Sequence, residues 1–168
     1  CISAVGWCNG TVPDCKGIVE LPMTDVAGAG FAVGAAMVGK RPILVIRFQD
    51  FLVLNGSPLI HYAAKCRELH GRGAPVFIRA MASDLLGPVH SGVLHSMFMH
   101  FPGFRVCSPL TPGEYELIWN EYMRNDDPVY SSEHRMSFNN TEELPDVVHD
   151  EADVTLYGIS APRFELAR

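Results

Sequence analysis

The 168-residue sequence lacks a long apolar run, a basic stripe and a metal-type cysteine pattern. Its longest apolar run, residues 26–39, contains no charged residue but is shorter than the roughly 20 residues that a membrane-spanning helix needs. The net charge is −6, and lysine and arginine form no cluster, which argues against binding to nucleic acid. No basic segment followed by an apolar one opens the sequence, so we expect no signal peptide. We therefore expect neither a membrane nor a nucleic acid as a partner.

Cysteine and histidine are present, but not at metal-binding spacings. The five cysteines are an odd number without a CxxC pair, which supports neither a disulfide framework nor a zinc site. Reduced thiols are the simpler interpretation. His90, His95 and His100 recur every five residues, so on one helix successive imidazoles would turn away from each other. We therefore expect no metal ligand among them.

Short strand-like runs alternate with helical segments along the chain. Runs rich in Val and Ile and bounded by Pro or Gly predict six strands, namely Ile2–Val5, Gly17–Leu21, Ile43–Arg47, Val76–Ala80, Arg105–Cys107 and Val129–Ser131. The segments between them predict four helices, Val26–Val38, Phe51–Leu69, Ser91–His100 and Pro112–Arg124. This alternation predicts an α/β fold, a mostly parallel sheet with helices on both faces.

The composition changes after residue 136. Residues 137–168 contain seven acidic residues and two arginines, and we interpret residues 137–153 as a solvated acidic linker. Beyond it, Val154–Gly158 predicts another strand. That strand would either begin a second domain over residues 154–168 or add an edge to the sheet of residues 1–136.

Asp25 opens a helix made almost wholly of small apolar residues. Gly28, Gly30 and Gly34 have a spacing similar to a dinucleotide-binding fingerprint, but they fall inside this helix and not at a strand-to-helix turn. We interpret them as permitting close packing. Asp25 is a candidate catalytic acid at a helix N-terminus. The alternative is that Thr24 or Asp25 only caps the helix.

Three more side chains stand where strands are predicted to end or loops to begin. Phe51 follows a strand and could form one wall of a pocket for a planar ligand, although such aromatics more often belong to the core. Arg47 ends an apolar strand, so it could form a salt bridge, snorkel, or bind a phosphate or carboxylate. His90 follows a Gly-Pro loop signal. It is a general acid–base candidate, because ligands of parallel sheets bind near such loops.

Read in order, eight blocks of the sequence resemble the beta subunit of the thiamine diphosphate-dependent 2-oxo acid dehydrogenases, of the pyruvate and branched-chain type. The resemblance extends from about Ile2 to Leu156. The blocks are LPMTD (21–25), AVGAAMVG (32–39), RPI (41–43), AAK (63–65), HS (90–91), FPGFRV (101–106), SP (108–109) and RNDDPV (124–129).

This resemblance implies a pyrimidine-binding domain over residues 1–136 and the start of a transketolase-like C-terminal domain over residues 154–168. It implies thiamine diphosphate bound between this chain and an alpha subunit, whose diphosphate-binding domain holds Mg²⁺, in an α2β2 assembly. The Gly-Asp-Gly motif of the diphosphate-binding domain is absent from this sequence. The implied substrate is a small 2-oxo acid. The implied compartment is the cytoplasm, or the mitochondrial matrix in a eukaryote.

The resemblance also implies roles for single residues. Asp25 stands where the family has a glutamate whose carboxyl hydrogen-bonds the aminopyrimidine and activates the cofactor. Aspartate is one methylene shorter, a loss of reach of about 1.5 Å. Phe51 aligns with the aromatic that packs on the pyrimidine, and His90 with an active-site histidine. Arg47 replaces an apolar residue near the pyrimidine.

Two other functions remain open from the sequence. The departures at Asp25, at Arg47 and in the 80–86 segment suggest a non-catalytic paralogue that acts as a binding or scaffold subunit. A two-chain transketolase-like carboligase would use the same cofactor.

Overall fold

A computed structural model describes residues 2–6, 8, 12–13, 15–145 and 149–167. Six strands form one sheet in the order β2-β1-β3-β4-β6-β5, and every pairing is parallel. The strands are β1 (Ile2–Gly6), β2 (Val19–Glu20), β3 (Arg41–Ile46), β4 (Phe77–Ala82), β5 (Arg105–Cys107) and β6 (Val129–His134). The predicted α/β fold with a parallel sheet is confirmed; all six predicted strands are present, β5 with the predicted bounds and the other five with shifted ends.

Helices cover both faces of the sheet. They are α1 (Asp25–Met37), α2 (Leu52–Pro58), α3 (Cys66–His70), α4 (His95–Phe98), α5 (Pro112–Arg124) and α6 (Pro162–Leu166). Two 3₁₀-helices, Gln49–Phe51 and Arg135–Asn139, and a π-helix, Leu59–Ala63, complete the set. In the described part of the chain, no helix has the length and apolarity to cross a membrane. Cys8, Cys15, Cys66 and Cys107 are free thiols.

The main core lies between the sheet and α1, α2 and α4. Small buried residues of α1, including Ala29 and Ala32, let that helix approach Leu44 and Ile46 of β3 closely. On the opposite face, α5 buries Tyr122 against Phe77, with ring centroids 5.1 Å apart. The start of α5 is capped, because the Thr111 hydroxyl accepts a hydrogen bond from the Glu114 amide at 3.3 Å.

Two predicted helices are wrong in length. The segment Phe51–Leu69 is divided into α2, the π-helix and α3, and Pro58 stands at the break, where it can donate no backbone hydrogen bond. The predicted Ser91–His100 contracts to α4. The residues before α4 form a loop, in which the backbone amides of Gly92 and Leu94 donate to the side chains of Asp50 and Gln49.

The predicted strand Val154–Gly158 is also wrong. Residues 154–159 form no strand, and Tyr157 is 92% exposed, so this segment pairs with neither edge of the sheet. The chain instead forms α6, which the sequence did not suggest. Arg163 of α6 makes an ion pair of 2.6 Å with Glu114 of α5. The acidic linker over residues 137–153 begins inside the second 3₁₀-helix.

The strand order creates a crevice between β1 and β3. The chain leaves β1 toward β2 on one side, whereas it leaves β3 toward β4 on the other. Where the connections of two adjacent parallel strands diverge, their carboxyl ends stand open, and ligands of open α/β sheets bind there. This crevice is therefore the place to look for a functional site.

Candidate functional site

A pocket with about 570 Å³ of atom-free space, partly open to solvent, occupies this crevice. Its walls are the carboxyl ends of β1 and β3, the segment that leads into α1, the first two turns of α1, and the start of α2. Most of its lining is apolar side chain or backbone. The polar side chains in the lining are those of Thr24, Asp25, Arg47 and Asn55. A largely apolar pocket with a few converging polar groups is the usual form of a small-molecule site.

Gly6 forms part of the pocket at the end of β1. Its φ is +122°, and a Cβ added there would lie 2.5 Å from the carbonyl oxygen of Val45. A side chain at this position would be strained in its backbone and would clash with β3. Gly6 therefore keeps the two strands close together beneath the pocket.

Asp25 is the first residue of α1 and lines the pocket, where it is half-buried. The Thr24 hydroxyl donates a 3.1 Å hydrogen bond to the carbonyl of Pro22, and its side chain does not cap the helix. Capping by Thr24 is thus wrong. The Asp25 carboxylate stands at the N-terminal, positive end of the α1 dipole, and Asp25 lines the pocket together with the apolar side chains.

The predicted packing role of the glycines in α1 holds for one of them. All three lie inside the helix, so the dinucleotide fingerprint is excluded. Gly28 lines the pocket, and an added Cβ would meet Leu21 at 3.3 Å. At Gly30 and Gly34 an added Cβ would meet nothing within 4 Å beyond the backbone of its own helix.

Phe51 ends the first 3₁₀-helix and lines the pocket. Its ring and that of Phe48 contact the imidazole of His90 edge to face, with centroids 5.8 Å and 4.5 Å from it. His90 does not line the pocket itself and is joined to it through Phe51. The guanidinium of Arg135 lies over the Phe48 ring at 5.2 Å, which closes the cluster on its other side.

His90 lies in a turn and not at a helix start. Its loop is held by two side chains that sequence reasoning did not select. Gln49 is fully buried and its Oε1 accepts from the Leu94 amide at 2.6 Å, while Asp50 accepts from the Gly92 amide at 2.9 Å. Gln49 also donates to Ser132 at 2.7 Å and to the carbonyl of Ala80 at 3.0 Å. These bonds fix the 83–94 loop over the ends of β4 and β6.

Arg47 follows the last residue of β3 and lines the pocket, half-buried. It therefore lines the same pocket as Asp25 and Phe51. Asn55 of α2 was missed. It is 5% exposed, lines the pocket, and its Oδ1 has no hydrogen-bond partner. The signal for Asn55 was its spacing, four residues after Phe51 on one helical face.

The three evenly spaced histidines have different surroundings. His95 lies near the Ser132 hydroxyl at 3.4 Å, and burial lowers its pKa. His100 is exposed, and His90 packs on the phenylalanines. Among the residues that the structure describes, no three His, Cys, Asp or Glu side chains are arranged to hold a metal ion.

Comparison with known proteins identifies the family. Residues 13–140 match the model of the transketolase pyrimidine-binding domain. Since this match covers most of the chain, the chain belongs to that family. The match includes α1, β3, α2 and the 83–94 loop, and hence Asp25, Arg47, Phe51 and His90.

Three curated relatives have similar sequences. The beta subunit of acetoin:2,6-dichlorophenolindophenol oxidoreductase from Cupriavidus necator is 32% identical over 87% of this chain and 48% of its own length. The beta subunit of 2-oxoisovalerate dehydrogenase from Bacillus subtilis is 31% identical over 72% and 38%. The mitochondrial beta subunit of the pyruvate dehydrogenase E1 component from Bos taurus is 30% identical over 77% and 37%. This chain thus spans less than half the length of each.

A solved structure shares the fold. The chain is similar to a split-gene transketolase, described as an inactive beta4 tetramer, with a TM-score of 0.59 and 17% identity. The similarity covers 83% of this chain and 42% of the other. At this identity the likeness concerns the fold alone, and it agrees with the parallel sheet and flanking helices described above.

Proposed function

We propose that this chain is a beta-type subunit of a thiamine diphosphate-dependent enzyme that decarboxylates a small 2-oxo acid. The observation that carries the proposal is the placement of the Asp25 carboxylate and the Phe51 ring in one apolar pocket, at the carboxyl ends of β1 and β3. Membership of the pyrimidine-binding family supports the cofactor. The names of the 2-oxoisovalerate and pyruvate dehydrogenase relatives support the type of reaction.

The pocket residues fit an aminopyrimidine ring. The ring is flat, mostly apolar and bears nitrogen atoms, and the pocket offers an aromatic side chain, an apolar wall and a carboxylate. Buried Asn55 Oδ1, which lacks a partner, adds a hydrogen-bond acceptor at this wall. When bound, thiamine diphosphate would supply the electron sink for loss of carbon dioxide from a 2-oxo acid.

Each residue of the chain has a proposed part. The Asp25 carboxyl would hold a proton at a pyrimidine ring nitrogen, which is general acid–base chemistry that depends on position before pKa. Phe51 would pack on the ring and exclude water from it. Arg47 would bind an anionic group of cofactor or substrate, and His90 would move protons beside the substrate. The apolar wall would raise the strength of each of these polar contacts.

We further propose that the working enzyme contains an alpha subunit that carries the diphosphate-binding domain and holds Mg²⁺, in an α2β2 assembly. The names of the relatives as beta subunits support a partner chain. We propose the cytoplasm as the compartment, or the mitochondrial matrix in a eukaryote, as the name of the bovine relative suggests. The domain division at residues 136 and 153 also remains a proposal.

The names of these relatives favour neither a scaffold paralogue nor a carboligase.

Reconstitution with the alpha subunit tests the proposal. Cofactor binding is measured by calorimetry, and turnover is measured with pyruvate, with branched-chain 2-oxo acids and with acetoin. Binding together with release of carbon dioxide from a 2-oxo acid supports the proposal. Binding without turnover of any substrate would favour a scaffold, and ligation without an electron acceptor would favour a carboligase.

A further inference from the structure

Asn55 is a buried polar side chain that the protein alone does not satisfy. It lies on α2 and is 5% exposed, and its Oδ1 makes no hydrogen bond with any residue that the structure describes. Buried amide oxygens in native proteins are almost always paired, and an unpaired one costs free energy. An unpaired group of this kind at a pocket wall indicates that a ligand completes it.

The position of Asn55 relates it to the proposed cofactor site. Phe51 and Asn55 are four residues apart along continuous helical backbone, so they lie on one face, and both line the pocket. Asp25 reaches the same pocket from the start of α1. The carboxylate and the amide thus approach one ligand from two different helices.

The chemistry of the amide selects the ligand group. An amide oxygen accepts hydrogen bonds, and the exocyclic amine of an aminopyrimidine is a donor. Side-chain amides of this type recognise the amino group of adenine in the same manner. An apolar ligand group next to Asn55 would leave Oδ1 unpaired, so the free-energy cost of burying that oxygen would remain.

We propose that Asn55 is a specificity-determining residue for the ring in this pocket and that its Oδ1 accepts a hydrogen bond from the exocyclic amine of the pyrimidine. This inference rests on the proposed function, since it takes thiamine diphosphate as the ligand. It adds a second polar contact to that of Asp25.

The test uses the assembly with the alpha subunit. Thiamine diphosphate and an analogue with hydrogen in place of the exocyclic amine are titrated by calorimetry into wild type and Asn55→Leu, which keeps the approximate size of the side chain. We expect Asn55→Leu to weaken binding of thiamine diphosphate about tenfold, the value of one well-made hydrogen bond. The analogue should bind weakly to both proteins and equally well to each.

A second measurement separates recognition from a structural role. Without cofactor, Asn55→Leu should melt at the same temperature as wild type or higher, because it removes an unpaired buried acceptor. A structural asparagine would give a lower melting temperature. Ser131→Ala is the matched control, since Ser131 Oγ is also buried and unpaired but lies on the other face of the sheet, next to Arg79 in β4. It should leave cofactor affinity unchanged.

The outcomes are distinguishable. Equal affinity of wild type and Asn55→Leu for thiamine diphosphate overturns this inference and leaves the proposed function standing. An equal loss of affinity for both ligands shows a packing effect and also overturns it. Absence of binding by the wild-type assembly overturns the proposed function and the inference together. Asn55→Ala is expected to show the same selectivity, and it replaces the leucine variant if that one does not fold.

Discussion

The imidazole of His90 meets the ring of Phe51 edge to face, with centroids 5.8 Å apart. Phe51 also lines the pocket that Asp25 enters. A proposed proton-transfer group is therefore held against the proposed ring-packing group by direct contact. This contact couples the 83–94 loop to the crevice between β1 and β3, although His90 and Asp25 are far apart in sequence.

Replacing Phe51 by leucine should weaken cofactor binding. The aliphatic side chain keeps the pocket apolar but loses the aromatic face, and an aromatic pair contributes about 0.5–1.5 kcal/mol beyond its area. We expect the dissociation constant of the assembly for thiamine diphosphate to rise by roughly three- to tenfold, as measured by calorimetry. Phe138→Leu, at an exposed position outside the pocket, is the control. Equal affinity of all three proteins would contradict the packing role of Phe51.

Replacing Gly92 by alanine should disturb His90 without removing it. The new Cβ would lie 2.7 Å from Asp50 Oδ1, so the bond from the Gly92 amide to Asp50 must lengthen or break. We expect kcat to fall by about a hundredfold if the imidazole moves by an ångström, with cofactor affinity unchanged. Steady-state kinetics and calorimetry measure the two effects.

Val93→Ala is the matched control for Gly92→Ala, since Val93 is the next residue of the loop and is exposed. It should keep the turnover of wild type. If Gly92→Ala also keeps it, then the position of His90 does not matter for the reaction.

Replacing Gln49 by leucine should destabilise the folded chain. Its amide makes three hydrogen bonds in a fully buried position, to Ala80, Ser132 and Leu94. Leucine leaves these groups without that partner, and a buried group left unpaired costs about 1–3 kcal/mol. The free energy of unfolding in urea should fall by at least that amount. Stability equal to wild type would show that these groups find other partners.

The attachment of α6 should depend on pH through Glu114. Burial acts to raise the pKa of Glu114, but hydrogen bonds from Arg163 and from the Leu110 amide outweigh it, so the pKa is lower than the ordinary 4.5. A lowered folded-state pKa adds stability above the unfolded-state pKa, and this stability is lost as the pH falls through the folded value. We therefore expect α6 to detach progressively as the pH falls from about 4.5 through the lower folded-state pKa of Glu114.

Hydrogen exchange of residues 162–166 as a function of pH measures this detachment. Glu114→Gln should show weak protection at neutral pH, and its protection should change little on acidification. Protection of wild-type α6 that is the same at neutral and acid pH would contradict the role of Glu114.

The sheet could be predicted from the sequence because each strand contains β-branched residues and pairs with at least one neighbouring strand. Val154–Gly158 has the same local pattern but remains exposed, which shows that the pattern needs a sheet edge that accepts it. Local propensity does not decide whether a segment pairs with an edge strand such as β2 or β5.

The site could be predicted in part. The sequence predicts Asp25, Arg47 and Phe51 because they stand at element ends, where parallel sheets place ligands, and all three line the pocket. It does not predict Gln49 and Asp50, because their importance comes from hydrogen bonds to distant backbone. These contacts are tertiary and leave no periodic signal in the sequence. Asn55 has helical spacing from Phe51, but the burial of its side-chain oxygen is visible only in the structure.

The most direct measurement is the decarboxylation rate of the assembly with Asp25→Asn, compared with wild type at saturating thiamine diphosphate. Asparagine keeps the size of the side chain but cannot share a proton with a ring nitrogen. The account predicts a rate lower by about a hundredfold or more, with cofactor still bound in a calorimetric titration. Equal rates for the two proteins would contradict the assignment of Asp25, and with it the proposed use of this pocket.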